Sequence, residues 1–78
     1  MKGPEKHSLT LRGHRTSVTL EPEFWAAFRA LAARRGVAVN ELAAQVDEGR
    51  GEVGLASAIR VFVLGEMQAA AAGRAAGG

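Results

Sequence analysis

Cysteine and tyrosine are both absent from this chain of 78 residues, and tryptophan occurs only once. Without cysteine the chain can form neither a disulfide nor a thiolate metal site, and this absence suits a reducing cytoplasm. The two histidines, His7 and His14, lack the paired carboxylates that would complete a closed metal site. We therefore expect no metal and no cofactor.

Catalytic motifs are missing as well. The sequence has no glycine-rich phosphate loop and no Ser/His/acid set that one small core could align, so we do not expect an enzyme. Apolar runs such as Val61–Leu64 are far shorter than the roughly 20 residues of a membrane span. Met1–His7 is polar and lacks the apolar segment of a signal peptide. These features predict a cytoplasmic protein without a membrane segment.

Large apolar side chains are few, so a core made from one chain of this size would be marginal, and oligomerisation is the common remedy. Charge is unevenly spread. Residues 1–20 hold four lysines and arginines against one glutamate (+3), residues 21–54 hold four arginines against six acids (−2), and residues 55–78 hold two arginines against one glutamate (+1). The basic N-terminal segment fits either a polyanionic partner or a solvated basic tail.

The segment Arg15–Leu20 alternates polar and apolar residues, which predicts a strand with Val18 and Leu20 on one face. A lone strand leaves backbone groups without partners, and a second copy of the chain could supply them. Ser8–Leu11 alternates too. Around Gly13 the two runs could form a hairpin or one long strand with a glycine bulge, and we favour two separate extended segments. Pairing between the two runs would weaken the argument for a dimer, although an outer strand edge would still be left open.

Three helices follow in the predicted order. The first spans Pro22–Arg35 and ends at Gly36, the second spans about Val39–Glu48, and the third spans about Leu55–Gln68. The third is apolar on nearly all sides, which again indicates burial against a partner subunit. We expect residues 1–7 to be a disordered basic arm, residues 8–68 to be the folded domain, and residues 69–78 to be a flexible Ala/Gly tail.

Four features follow one another along the chain: a short strand at Arg15–Leu20, the segment Glu21–Pro22–Glu23–Phe24–Trp25, the turn Gly36–Val37 and the segment Asn40–Glu41–Leu42. This order resembles the ribbon-helix-helix family of bacterial DNA-binding regulators. Ser57–Leu64 looks like a subfamily with an additional C-terminal helix. The resemblance implies a mostly α fold with a short N-terminal strand, in which two chains intertwine as a homodimer and pair their strands antiparallel. That ribbon would enter the DNA major groove.

The resemblance also implies which residues touch DNA. Side chains on the outer face of the ribbon would contact bases, and residues beside the ribbon and at the start of the second helix would contact phosphates. The base-contacting residues are Arg15, Ser17 and Thr19; the phosphate-contacting residues are Arg12, His14, Ala38, Val39 and Asn40. The family often has Ser or Thr where this chain has Ala38. The Ser-Ala-Ile-Arg segment usually lies within the second helix of the family, but here Gly49–Gly54 interrupts the helix before that segment. The phosphate site could therefore lie at Asn40 or at Gly54–Ser57.

Two functions are consistent with these patterns. The first is a sequence-specific, homodimeric DNA-binding transcriptional regulator with DNA as its partner. The second is a dimeric protein-interaction module, antitoxin-like or an adaptor, that works through the third helix and the acidic loop Asp47–Glu52. Arg60 could bind phosphate or pair with an acid at the rim of the core, and we favour the acid.

Overall fold

The computed structural model describes residues 3–77, and the side chains of residues 3–73. Five elements follow one another: β1 (Glu5–Leu11), β2 (His14–Leu20), α1 (Pro22–Arg35), α2 (Val39–Gly49) and α3 (Leu55–Gly77). The two strands form one antiparallel sheet, and the three helices pack on its apolar side. The predicted order of a ribbon, two helices and an additional helix is confirmed.

The strands pair with each other inside one chain. The register places Leu11 opposite His14 and Ser8 opposite Ser17. Arg12 and Gly13 form the two-residue turn with φ angles of 51° and 85°, and such a pair of positive φ values matches the twist of a hairpin. Our preference for two separate extended segments is wrong, because this turn brings the alternating runs together. Pairing between two chains stays a prediction and concerns the other edge of β2.

Helix α1 begins and ends where the sequence predicts. Pro22 occupies the first turn, where its missing N–H is no loss. Gly36, with φ 70°, ends the helix, and the N–H of Val37 donates to the carbonyl of Ala32 over 3.0 Å. At this end of α1, Arg35 pairs with Glu66 of α3, so the helix terminus is also tied to the third helix.

One core lies between the sheet and the helices. Trp25 and Phe28, predicted to be core residues, are buried, and the Trp25 indole N–H donates to the carbonyl of Glu5 over 3.0 Å. This bond fixes the start of β1 on α1. The buried side chains are Leu9, Leu11, Val18, Leu20, Trp25, Phe28, Leu31, Ala32, Leu42, Ala43, Ala44, Ile59 and Val63. Both strands therefore turn alternate residues inward, as their patterns predict.

Helix α3 packs against α1, α2 and β2 through Ile59 and Val63. Among the described residues it is the one helix that could cross a membrane by length and composition, over Leu55–Gly73. Its first half belongs to the core, however, and the part from Glu66 to Gly77 is about 18 Å long at 1.5 Å per residue. That is shorter than the roughly 30 Å of a hydrocarbon layer, so the part of α3 beyond the core is by itself too short to span one.

The elements extend beyond two of the expected domain boundaries. β1 begins at Glu5, so residues 5–7 are strand, and α3 continues to Gly77, so residues 69–77 are helical. The hydrogen bond from the Trp25 indole N–H to the carbonyl of Glu5 holds the chain in place before Ser8, which explains the earlier start of the strand. Met1, Lys2 and Gly78, the outermost residues of the predicted arm and tail, lie outside the described residues.

Candidate nucleic-acid interface

The hairpin has a buried face and a polar outer face. On β2, Val18 and Leu20 are buried while Arg15, Ser17 and Thr19 are exposed. This alternation puts the three predicted base-contacting side chains side by side on the outer face, with spacing set by the strand. Val18 and Leu20 are held in the core and Thr16 is half-buried beneath the sheet, which orients the outer face.

β1 doubles this surface. The register places Lys6, Ser8 and Thr10 opposite Thr19, Ser17 and Arg15, and all three are exposed. Directly opposed residues of an antiparallel pair point to the same face, so six polar side chains form one surface, here called the outer ribbon face. It carries two cations, Lys6 and Arg15, and no acid. Sequence reasoning missed its β1 half, although a hairpin at Gly13 would have indicated it.

The outer edge of β2 is unpaired. A two-residue hairpin closes on a hydrogen-bonded pair, here Leu11 and His14, and every second pair along the strands repeats this arrangement. The N–H and C=O groups of Arg15, Ser17 and Thr19 therefore point away from β1. No third strand lies beside them in the part of the chain that the structure describes. The carbonyl of Thr19 accepts from Arg60, and the rest of this edge is open to another strand.

Arg12, a predicted phosphate contact, is occupied within the chain. From the hairpin tip its Nη2 atom lies 2.7 Å from Glu48 and its Nη1 atom 3.2 Å from Glu41, both on α2. The hydrogen bond to Glu48 and the charge of Glu41 raise the pKa of Arg12. The guanidinium thus ties the hairpin tip to α2. His14, on the other side of the turn, is exposed.

The start of α2 lies along the outer edge of β1. Ala38 precedes the helix without a side-chain cap, so the first backbone N–H groups of α2 remain available. The side chain of Asn40 accepts a hydrogen bond from the N–H of Thr10 over 3.2 Å and holds the helix start to the strand. An open cavity of about 320 Å³ lies here, and its lining includes Ser8 and Arg29.

The alternative phosphate position, the start of α3, has different surroundings. The N–H of Ala58 donates to the carbonyl of Gly54 as the helix begins. Leu55 lines a cavity of about 310 Å³ together with the acids Asp47 and Glu48. The same cavity is also lined by Arg12 and Arg50, and α2 carries Glu41 in its own first turn. Both helix starts therefore have acids and cations nearby, and the phosphate position stays a prediction.

Arg60 pairs with an acid at the rim of the core, as the sequence analysis favours. Its Nε atom lies 3.0 Å from Glu21, its Nη2 atom donates to the carbonyl of Thr19 over 3.4 Å, and the guanidinium lies 5.9 Å from the centre of the Phe24 ring. Arg60 therefore joins α3 to the end of β2 and the start of α1.

The Glu21 pair predicts a pH-dependent stability. The pKa of Glu21 is lowered, first by its own backbone N–H and then by Arg60. A carboxyl with a lowered pKa stabilises the fold above its unfolded pKa and loses this contribution as the pH falls through the folded pKa. We expect Glu21→Gln to lower the Tm at pH 7 and the difference from wild type to vanish well below pH 4.5, the ordinary value. Thermal unfolding followed by circular dichroism measures this.

Glu23→Gln is the matched control, because Glu23 is exposed in the first turn of the same helix and makes no ion pair among the described residues. Identical pH profiles for the two variants would show that the Glu21–Arg60 pair contributes nothing specific.

The outer side of α3 is apolar and exposed. Val61 and Leu64 are 69% and 54% exposed. Next to them an open groove of about 440 Å³ lies between the end of α2 and the start of α3, and Val46, Val53 and Phe62 contribute to its lining. Large apolar side chains clustered in this way are typical of an interaction surface. Arg50 holds the adjoining loop by bonding Asp47 over 2.5 Å and the carbonyl of Val53 over 2.7 Å.

Comparison with known proteins identifies one family. A family model described as a ribbon-helix-helix domain matches residues 4–67 of the chain. The matched range includes both strands, α1, α2 and the part of α3 that contributes to the core. No curated protein and no solved structure matches the chain significantly.

Proposed function

The chain belongs to the ribbon-helix-helix family, and from this premise we propose that it is a sequence-specific DNA-binding transcriptional regulator that acts as a homodimer in the cytoplasm. The domain is a non-enzymatic fold whose members commonly bind DNA. The observation that carries the proposal is the outer ribbon face, an exposed and acid-free polar surface on a hairpin whose other face is buried.

Base recognition is proposed for β2. The major groove admits a two-stranded ribbon. Arg15 is suited to guanine because a guanidinium can bond O6 and N7 together, and the hydroxyls of Ser17 and Thr19 can bond several bases. All three side chains are exposed on one face, which is the arrangement that such contacts require.

Dimerisation is proposed through the open edge of β2. The N–H and C=O groups of Arg15 and Ser17 on this edge can bond the same edge of a second copy, with Ser17 near the two-fold axis, while the carbonyl of Thr19 accepts from Arg60 within the chain. The exposed apolar side chains Val61 and Leu64 of α3 support the same conclusion, because α3 packs beside β2 and would bring them near a partner. A two-fold dimer presents its ribbon to two related half-sites.

Phosphate binding is proposed for the start of α2, where the N–H groups of Val39 and Asn40 and the preceding Ala38 lie along β1. A helix start favours an anion through its free N–H groups and its dipole. His14 is exposed near the hairpin tip and can add a contact. Arg12 contributes less in this proposal, since Glu41 and Glu48 already balance its charge.

Selection of bound sequences from a random DNA pool at physiological salt tests the function. We expect enriched sites whose halves are related by two-fold symmetry, because each dimer would present the same three side chains twice. Raising the salt should weaken binding steeply through counterion release. A pool that stays unenriched while the protein remains folded would contradict the proposal.

The groove between α2 and α3 favours a second candidate function. Its lining is largely apolar and includes the exposed residues Val53 and Val61. A protein-interaction module, antitoxin-like or an adaptor, could use this groove with the loop 47–52 beside it. Co-purification of a stoichiometric protein partner, together with no retarded DNA in a gel shift, would favour this reading over DNA binding.

A further inference from the structure

We infer that β1 is a second DNA-contacting strand, and that Lys6, Ser8 and Thr10 bind the sugar-phosphate backbone at the two walls of the groove that β2 enters. This inference rests on the proposed function and extends it. The family resemblance implies a ribbon made of one strand from each chain, here β2. The inference gives a DNA-backbone-binding role to residues of β1, which lies outside that ribbon.

The first argument is the register of the hairpin. Lys6, Ser8 and Thr10 lie directly opposite Thr19, Ser17 and Arg15. All of them are exposed, while the intervening Leu9 is buried beneath the sheet. Any duplex that approaches β2 from the outer ribbon face must therefore also approach β1.

The second argument is width. If two copies join through their β2 edges, the strands lie in the order β1, β2, β2 of the second copy, β1 of the second copy. At about 4.8 Å between neighbours the outermost strands are about 14 Å apart, whereas the major groove is about 12 Å wide. The two central strands fit inside, and the two β1 strands lie over the groove walls, where the phosphates are.

The third argument is chemical. An ammonium is a compact point charge suited to phosphate oxygens, and hydroxyls of Ser and Thr commonly donate to the DNA backbone. None of the ion pairs within residues 3–73 includes Lys6, so its charge is available, in contrast to the charge of Arg12.

The fourth argument is continuity with the start of α2. Thr10 donates its backbone N–H to Asn40, so the β1 half of the outer ribbon face continues into the first turn of α2. A phosphate strand that follows the groove wall would meet the hydroxyls of Ser8 and Thr10 and the N–H groups of α2 in succession.

The experiment compares Lys6→Gln with wild type on two duplexes of equal length, one carrying the selected site and one unrelated. Affinity is measured over a series of salt concentrations with the full chain. Two copies of Lys6 should together release about two counterions, so the slope of log K against log salt should become shallower by about 1.8. Affinity should fall by about the same factor on both duplexes, on the order of 10-fold at physiological salt.

Arg34→Gln is the control, because it removes the same charge from an exposed position in the last turn of α1, outside both strands, and its slope should equal that of wild type. If wild type binds its selected site and Lys6→Gln keeps the wild-type slope, β1 does not contact the backbone and the proposed function still stands. If Lys6→Gln changes base preference instead, the assignment to the backbone is wrong. If wild type binds neither duplex, the proposed function itself fails, and this inference with it.

Discussion

Arg15→Ala is expected to cause the largest loss of DNA binding among single substitutions on the outer ribbon face. A bidentate arginine–guanine contact discriminates by about 1–3 kcal/mol. A dimer makes the contact twice, so affinity for the selected site should fall by about 30-fold to 10⁴-fold. Because Arg15 is exposed and the buried residues Val18 and Leu20 hold β2 in the core, the hairpin should stay folded. Titration of labelled duplex at fixed salt measures the loss.

Specificity separates base contact from simple charge attraction in this prediction. Repeating the selection with Arg15→Ala should relax one position in each half-site, while the other positions remain. Arg15→Lys keeps the charge but loses the fork of two donors. Compared with Arg15→Ala, it should therefore regain affinity for unrelated DNA but little of the preference for the selected site. Arg34→Ala, which removes an exposed arginine from the last turn of α1, outside both strands, should change neither. If Arg15→Ala binds every sequence as wild type does, Arg15 does not read bases.

Ser17→Pro is expected to separate the dimer while leaving the hairpin intact. The N–H of Ser17 points away from β1, and proline is tolerated in an edge strand where the lost N–H faces outward. Between two copies, however, the substitution removes two symmetric hydrogen bonds of about 0.5–1.5 kcal/mol each, so the dimer dissociation constant should rise by about 5- to 150-fold. Sedimentation of the 8.1 kDa chain over a range of concentrations measures the shift, and gel shift should show weaker DNA binding in parallel.

Ser8→Pro supplies the matched control. Ser8 lies directly opposite Ser17, and its N–H also points outward, but from the edge of β1. It carries the same local strain without touching the proposed dimer contact, so it should remain a dimer. A Ser17→Pro variant that dimerises like wild type would place the interface elsewhere, and α3 with Val61 and Leu64 would be the next surface to test.

The helices and the two faces of the strands could be read from the sequence because their signals are local. Pro22 and Gly36 limit α1, and the alternation through Val18 and Leu20 sets the two faces of β2, since both depend on neighbouring residues alone. Trp25 and Phe28 followed from helical spacing. The exposed position of the proposed base-contacting residues was available in the same way.

Contacts between distant residues needed the tertiary structure. The alternation of Ser8–Leu11 and Arg15–Leu20 fits a hairpin, one long bulged strand or two separate segments equally well, and the turn with positive φ values at Arg12 and Gly13 makes it a hairpin. The phosphate contact of Arg12 stays a prediction, and the ion pairs of Arg12 with Glu41 and Glu48 became visible only when the fold brought these residues together.

The sequence by itself determined a small, cysteine-free chain whose strands and helices each have one apolar face, because periodicity along the chain dictates which side chains share a surface. The tertiary structure decided that β1 lies beside β2 and adds Lys6, Ser8 and Thr10 to the outer ribbon face. It also decided that Asn40 holds α2 to this strand. Such choices depend on distances between residues far apart in sequence, which no local pattern encodes.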